Sequence, residues 1–577
     1  MLMKNSVKET IEGRKRMQVE GLTSRLDHLY EFEREPVSQD KLQPGRHFAT
    51  LFAGEHIAGT EFVIGAMFVS WGAGPLDIFL GLLIGNLLAV LTCTFICTPI
   101  AIQTRLTLYW YLRKIAGPVA TLIYNICNAL LFCILAGCMI TVSASAVRVP
   151  FGISAQTNWF PTDIRFIFVV FGVGAVVVVL AILGFKKLAQ FATVCSPWLF
   201  LMFLCGALAV LPGLASMCGL GEIKSLKDFW TLANNSIWTG IPPLGKEKIA
   251  FTQVAAFAWI CNLAMHAGLS DMAIFRYAKK KSYGLYSAFG MFFGHYLAWI
   301  FAGIMGAAAA MAASTVIGNL DSGAVAIHAL GLSGAIAVII AGWTTSNPTL
   351  YRAGLAFQAV SPGWPRWLVT LIAGIITTMI ACFPFVFTRL LDFVGYYGLL
   401  LMPVGAIVFV EHWIFPRIGL TQYWVDKKKL KVSWPALLSW GIAIITAILL
   451  ERTHTLHLFF LFIPTWFLTS ILYIILAFFF GAKFDTSEDK AEKTPPLPQP
   501  APLTPHTSKK KDSLTAISGL LALMSLLVCL GFALWVFLGG AELHELRFKL
   551  FKSYLIWPSL FYFICSVLWI SKISKHE

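Results

Sequence analysis

Three ionisable residues sit inside a run that is otherwise apolar enough to cross a bilayer. The segment LFAGEHIAGTEF carries Glu55, His56 and Glu61 together with Gly54 and Gly59. A charged group at membrane depth costs several kcal/mol unless it lines a cavity or meets a partner, so function is the default reading for such residues. The plainer alternative is that each glutamate lies near the interface and snorkels or pairs there. Unwound backbone in this segment would expose carbonyl oxygens to a cation. A second segment, FAWICNLAMHAGLSDMAIFRYAKKK, interrupts its apolar run with Asn262, His266, Gly268 and Asp271. His266 reads equally as a packing histidine or a ligand, and Asp271 with Arg276 reads as an interfacial ion pair or gate. A third segment, AGWTTSNPTLYRAGLAFQ, puts Ala341, Thr344 and Thr345 on one helix face, because positions i, i+3 and i+4 are neighbours. One carbonyl and two hydroxyls converging there suit a monovalent ion; the competing reading is that the hydroxyls bond back to the preceding turn.

Long apolar elements must position these residues, and the composition supplies them. Of 577 residues, 58% are hydrophobic and 13% charged, with mean hydropathy +0.74. Soluble domains carry about 25% charged residues, so an ordinary soluble protein is excluded. Since about 20 apolar residues span a bilayer, the pattern predicts twelve helices at about 49–71, 75–101, 117–147, 164–184, 188–212, 249–270, 284–313, 325–346, 367–388, 393–414, 433–450 and 457–481. A charged leader, residues 1–47, precedes them and lacks the apolar core of a signal peptide. A linker over 482–512, rich in proline and lysine, follows and should stay extended. Two further spans, about 513–538 and 553–571, form a hairpin within residues 513–577.

The net charge of +15 reads as loop charge that fixes orientation, and no nucleic-acid module is recognisable. One alternate set of loops, from Arg105 to Lys431 and including Arg276 and Arg352, holds sixteen Lys and Arg, and the other, from Arg148 to Arg452, holds eight. That bias places both termini and the linker on the cytoplasmic side of a cell (inner) membrane. The twelve cysteines lie mostly in apolar runs, without a CxxC pair or a histidine at ligand spacing, so neither a disulfide framework nor a zinc site is expected. Helices one to five and six to ten occupy blocks of similar length, about 49–212 and 249–414. Five is odd, so the second block starts from the opposite side of the membrane, as in an inverted repeat whose leading helices are broken at the midplane.

Four stretches, GLLIGNLLAVL leading to TRLTLYWYLRKIAG, LSDMAIFRYAKK, GWTTSNPTLY and MPVGAIVFVEHWIFPRIG, together resemble the nucleobase:cation symporter family of cytosine and purine permeases and hydantoin transporters, a LeuT-fold group. The resemblance covers about residues 45–480. It implies an all-α membrane protein with a five-plus-five inverted repeat over 48–414, two more helices within 415–481 and the added C-terminal hairpin. It further implies a sodium site built from the Ala341 carbonyl, the Thr344 and Thr345 hydroxyls and the carbonyls of Gly54 and Ile57. From the sixth helix Trp259 or Phe257 would stack on a planar solute, with Asn262, His266 and Asn347 offering polar contacts.

Two departures alter that expectation. The third helix reads LFCILAGCMI over 131–140, without the tryptophan and glutamine the family places there, so a nucleobase pocket is not evident. Pro348 is expected to break the eighth helix where the family has a polar residue. Glu55 and His56 beside the cation site could couple transport to protons or bind a cationic substrate. The expected function is cation-coupled import of a small polar or heterocyclic solute, driven by sodium or protons without another cofactor. The alternative is a transporter-like sensor or scaffold, with the hairpin serving an oligomer or a partner. No nucleophile–base spacing recurs, so an enzyme is not expected.

Overall fold

Backbone amides in a bilayer must be satisfied within their own segment. The computed structural model describes residues 31–32, 34–156, 158–242, 247–483 and 513–573, and among these residues no strand forms. The leader up to residue 30 and nearly all of the 482–512 linker lie outside the described residues. The first block comprises α1 (Gly45–His56), α2 (Glu61–Val69), α3 (Pro75–Thr104), α4 (Leu108–Val147), α5 (Ile164–Ile182) and α6 (Phe185–Met217). The second comprises α7 (Phe251–Ile260), α8 (Leu263–His266), α9 (Met272–Phe275), α10 (Lys281–Ala312), α11 (Ser322–Leu330), α12 (Leu332–Val360), α13 (Arg366–Ala381) and α14 (Asp392–Ile418). Then come α15 (Trp434–Arg452), α16 (Leu458–Phe479), α17 (Ser513–Phe537) and α18 (Glu542–Ile573). Ten of these, α3 to α6, α10 and α14 to α18, are long and apolar enough to cross a membrane, and the protein is a multi-pass membrane protein.

Of the other four expected spans, the ninth, α13, is a short unbroken helix and three are irregular. The first is broken over Ile57–Thr60 and the sixth at Cys261–Asn262 and again at Ala267–Asp271. The eighth opens as two helices hinged at Gly331, whose φ of +60° suits glycine. Pro348 does not break α12, contrary to expectation. A buried proline removes one amide donor, yet α12 runs on through it from Leu332 to Val360, with the Thr345, Ser346 and Thr349 hydroxyls bonding carbonyls one turn back on either side. Nor do Asp271 and Arg276 pair with each other: Arg276 donates to the Phe32 carbonyl at 2.6 Å and to the Tyr277 and Tyr351 hydroxyls at 3.1 and 3.3 Å. Arg352, counted above as a loop residue, is fully buried in α12.

Helix pairing repeats between the two blocks. The first span packs on α10 through both α1 and α2, and its counterpart, the sixth span, packs on α3 mainly through α7; α4 pairs with α12, and α5 with α13. These pairs exchange when the first helix of one block is mapped on the first of the other, which is what a pseudo-twofold in the membrane plane requires. Glycines permit the close approaches. A Cβ on Gly65 of α2 would lie 2.3 Å from the Trp299 carbonyl oxygen of α10, and one on Gly85 of α3 would lie 2.1 Å from the Ala255 carbonyl oxygen of α7. Small residues carry such contacts because lipid offers no hydrophobic drive for helices to associate. Outside the repeat, α17 and α18 lie against α6, where the Tyr562 hydroxyl donates to the Val194 carbonyl at 2.8 Å.

The contrast between two glycines gives a test of this packing. Gly85→Val forces backbone against backbone and should cost about 1–3 kcal/mol or more, whereas Gly172→Ala on α5 meets open space within 4 Å and should be neutral. Thermal unfolding of the purified variants in detergent should show a clear loss for the first and none for the second.

Candidate functional site

The two breaks face each other, and a single guanidinium ties them. Glu55 ends α1, Asp271 follows the break after α8, and Arg352 reaches both from the middle of α12. Its Nη1 donates to Glu55 Oε1 at 2.6 Å, and its Nη2 donates to Glu55 Oε2 at 3.1 Å and to Asp271 Oδ1 at 2.5 Å. Arg352 and Asp271 are fully buried and Glu55 is 4% exposed. Desolvating three charges costs several kcal/mol each, and charge-assisted bonds to both carboxylates are what offset it. With His266 neutral, two carboxylates and one guanidinium leave one surplus negative charge at the junction.

Beside this tie, α12 meets the first break a second time. The Thr345 hydroxyl donates to the Glu55 carbonyl at 2.7 Å and lies 3.0 Å from the Ala341 carbonyl, to which Thr344 also donates at 3.0 Å. Two hydroxyls and carbonyls of two helices therefore converge, with the α1 carbonyl coming from Glu55, between Gly54 and Ile57. The back-bonding weighed from the sequence is present too, and the same hydroxyl oxygens retain lone pairs for a cation.

A small cavity, about 70 Å³, opens next to these groups. One wall is a polar chain crossing both breaks: His56 Nδ1 donates to the Phe52 carbonyl at 2.8 Å and its Nε2 lies 2.7 Å from Asn262 Oδ1. Asn262 Nδ2 donates to Met291 Sδ at 3.2 Å and to His295 Nδ1 at 3.1 Å, and His295 Nε2 faces Glu61 Oε1 at 3.7 Å. Sulfur only accepts, which orients the Asn262 amide. Glu61 Oε2 is buried without a partner. The opposite walls are Trp299, stacked on His295 at 4.4 Å, and Leu135 and Met139 of α4. The third helix thus presents aliphatic and thioether surface.

Of the residues singled out from sequence, Glu55, His56, Glu61, Asn262 and Thr345 line the cavity. Trp259 lies apart, its indole donating to Thr92 at 3.0 Å and packing on Phe462 at 4.7 Å. Phe257 is enclosed by Phe68, Trp71 and Trp299. His266 and Asn347 are buried outside the lining, and both amide atoms of Asn347 are unpartnered. His266 Nδ1 donates to the Ala89 carbonyl at 2.9 Å, and its Nε2 lies 3.6 Å from Asp271 Oδ2. Sequence reasoning passed over Arg352 and His295, and it named Glu61 without assigning it to the site. A histidine in GMFFGHYLAW was the available signal for His295; the wide π-type turns over Gly290–Ala298 aim it inward.

No protein-family model matches the sequence, and no curated protein matches it significantly. Solved structures do match. The nucleobase-cation-symport-1 family transporter Mhp1, in a closed conformation with bromovinylhydantoin bound, superposes with a TM-score of 0.58 at 17% identity, over 79% of this chain and 98% of its own. A Na+-coupled sialic acid symporter in a substrate-bound outward-open state superposes with a TM-score of 0.57 at 13% identity, over 79% of this chain and 95% of its own. The chain has the fold of these LeuT-type symporters.

Proposed function

We propose that this protein is a cation-coupled secondary active transporter that moves a small polar or heterocyclic solute across a cell membrane by alternating access. The observation that carries the reading is the junction of the two broken helices on α12. There a hydroxyl of Thr345 meets a carbonyl of the first break, Arg352 ties the carboxylates of both, and a small cavity adjoins them. Sodium is the proposed coupling ion, held by the Ala341 carbonyl, the Thr344 and Thr345 hydroxyls and the α1 carbonyls around Gly54, Glu55 and Ile57. Hard uncharged oxygens suit a monovalent ion, and the surplus negative charge of the Glu55–Arg352–Asp271 group attracts it through a low dielectric. Both neighbours of this fold bear on the choice, since one is described as a nucleobase-cation symporter and the other as Na+-coupled.

The ion acts through differential affinity. It binds well only when α1 lies against α12, so it favours that arrangement by its binding free energy and raises solute affinity by the same coupling, about 1–3 kcal/mol in typical cases. The solute occupies the cavity beside His56, Asn262 and Glu61, with the Trp299 ring as its flat wall. The transport core is placed at 48–414, with α15 and α16 bracing it and both termini in the cytoplasm. Counterflow into proteoliposomes across a panel of hydantoins, nucleobases, amino acids and sialic acids tests the reading. A solute that stabilises the protein without exchanging would instead identify a sensor.

Two sets of variants follow. Sodium should raise the unfolding temperature of the wild type relative to choline, by up to about 2.7 kcal/mol of stabilisation at a hundredfold excess over Kd; Thr345→Ala should lose that response while costing about 1 kcal/mol of its own. Equal sodium responses in both proteins would remove the site. Arg352→Gln should destabilise by about 3–5 kcal/mol, because it leaves two buried carboxylates unpaired. Adding Glu55→Gln should recover part of the loss in a denaturation measurement. Glu55→Gln alone removes the surplus charge and should weaken sodium binding on the order of tenfold.

A further inference from the structure

Chain spacing hides one group that the fold assembles. Cys93 lies in the wide turn Cys93–Cys97 of α3, His266 closes α8, and Asp271 follows the second break. Their ligand atoms, one each, lie within 4.8 Å of one another, and all three side chains are buried. His266 Nε2 and Asp271 Oδ2 both point into this space without a hydrogen-bond partner. Leaving two such atoms unsatisfied costs about 1–3 kcal/mol each, so the arrangement calls for something between them.

We propose that Cys93, His266 and Asp271 form a binding site for a divalent transition metal, with zinc as the occupant. The donor set of one thiol, one imidazole and one carboxylate matches zinc's tolerance for sulfur, nitrogen and oxygen, and three protein ligands leave a position for water. Each donor is already oriented by a further contact, as metal ligands are. His266 gives its other ring proton to the Ala89 carbonyl at 2.9 Å, Asp271 Oδ1 accepts from Arg352 at 2.5 Å, and Cys93 Sγ lies 3.8 Å from the Thr98 hydroxyl. The charge closes as well. Glu55, Asp271 and Arg352 sum to one negative charge, the thiol adds a second when it releases its proton on binding, and a divalent ion cancels both. The metal clips the second break to α3. The metal is titrated without sodium or solute, so its test is separate from that of transport.

Cobalt(II) is the probe, titrated into the metal-free full-length protein in detergent. The wild type should show one equivalent with the visible bands of a tetrahedral ion and a thiolate-to-cobalt absorption, all displaced by zinc. Cys93→Ser should lose the thiolate band and bind on the order of a hundredfold more weakly. Cys97→Ser, on the same turn, should match the wild type, and unfolding temperatures of the metal-free proteins monitor the fold. A wild type without a thiolate band, or a Cys93→Ser protein that keeps it, overturns the proposal. Should Cys93→Ser not accumulate, His266→Gln supplies the comparison, with retention of one tight equivalent counting against the site.

Discussion

One buried guanidinium sets the terms for the rest of the molecule. Arg352 has no water to turn to and is satisfied only by carboxylates that arrive from two separate breaks, Glu55 and Asp271. Neither carboxylate could sit at that depth on an intact helix packed against lipid, and neither break would hold its position without the charge that gathers them. The discontinuities, the tie and the cavity are therefore one arrangement: unwinding exposes carbonyls and frees direction, and ion pairing spends that freedom on a particular geometry.

Symmetry explains why the arrangement forms where it does. α1 on α10 and α7 on α3 are equivalent contacts, each made close by a glycine of the second helix in its block, Gly294 in one and Gly85 in the other. Packing the first half of each broken helix against that neighbour leaves its broken end beside the pair α4 and α12. α12 lies beside both breaks, and this accounts for its load of small and hydroxylated residues around Gly342 to Thr349. Such residues let backbones approach and bond carbonyls back within the helix.

Much of this was legible because it is periodic or compositional. Apolar length located the spans, glycines and ionisable residues marked both breaks, and helical spacing put Ala341, Thr344 and Thr345 on one face. What escaped depends on tertiary contact. Arg352 follows a proline and a tyrosine, a context that reads as a loop, and only the continuation of α12 carries it to the core. Cys93 and His266 are 173 positions apart by subtraction of their numbers, so no spacing rule connects them. Trp259 has the right chemistry for stacking on a solute, but a helix of ten residues near a break does not disclose its facing, and the ring turned toward Thr92 and Phe462.

The charge balance links the sites that the fold keeps apart. Two carboxylates and one guanidinium, Glu55, Asp271 and Arg352, meet at the junction and carry one surplus negative charge. On the readings proposed above, sodium beside Thr345 and a divalent metal at Cys93 would both approach that surplus, one against the first break and one against the second. Binding of the metal, with release of the thiol proton, would neutralise the group and remove the attraction that sodium exploits, so the two proposed ions would oppose each other through Arg352 without sharing a ligand. By linkage, sodium would then weaken the metal by the same factor.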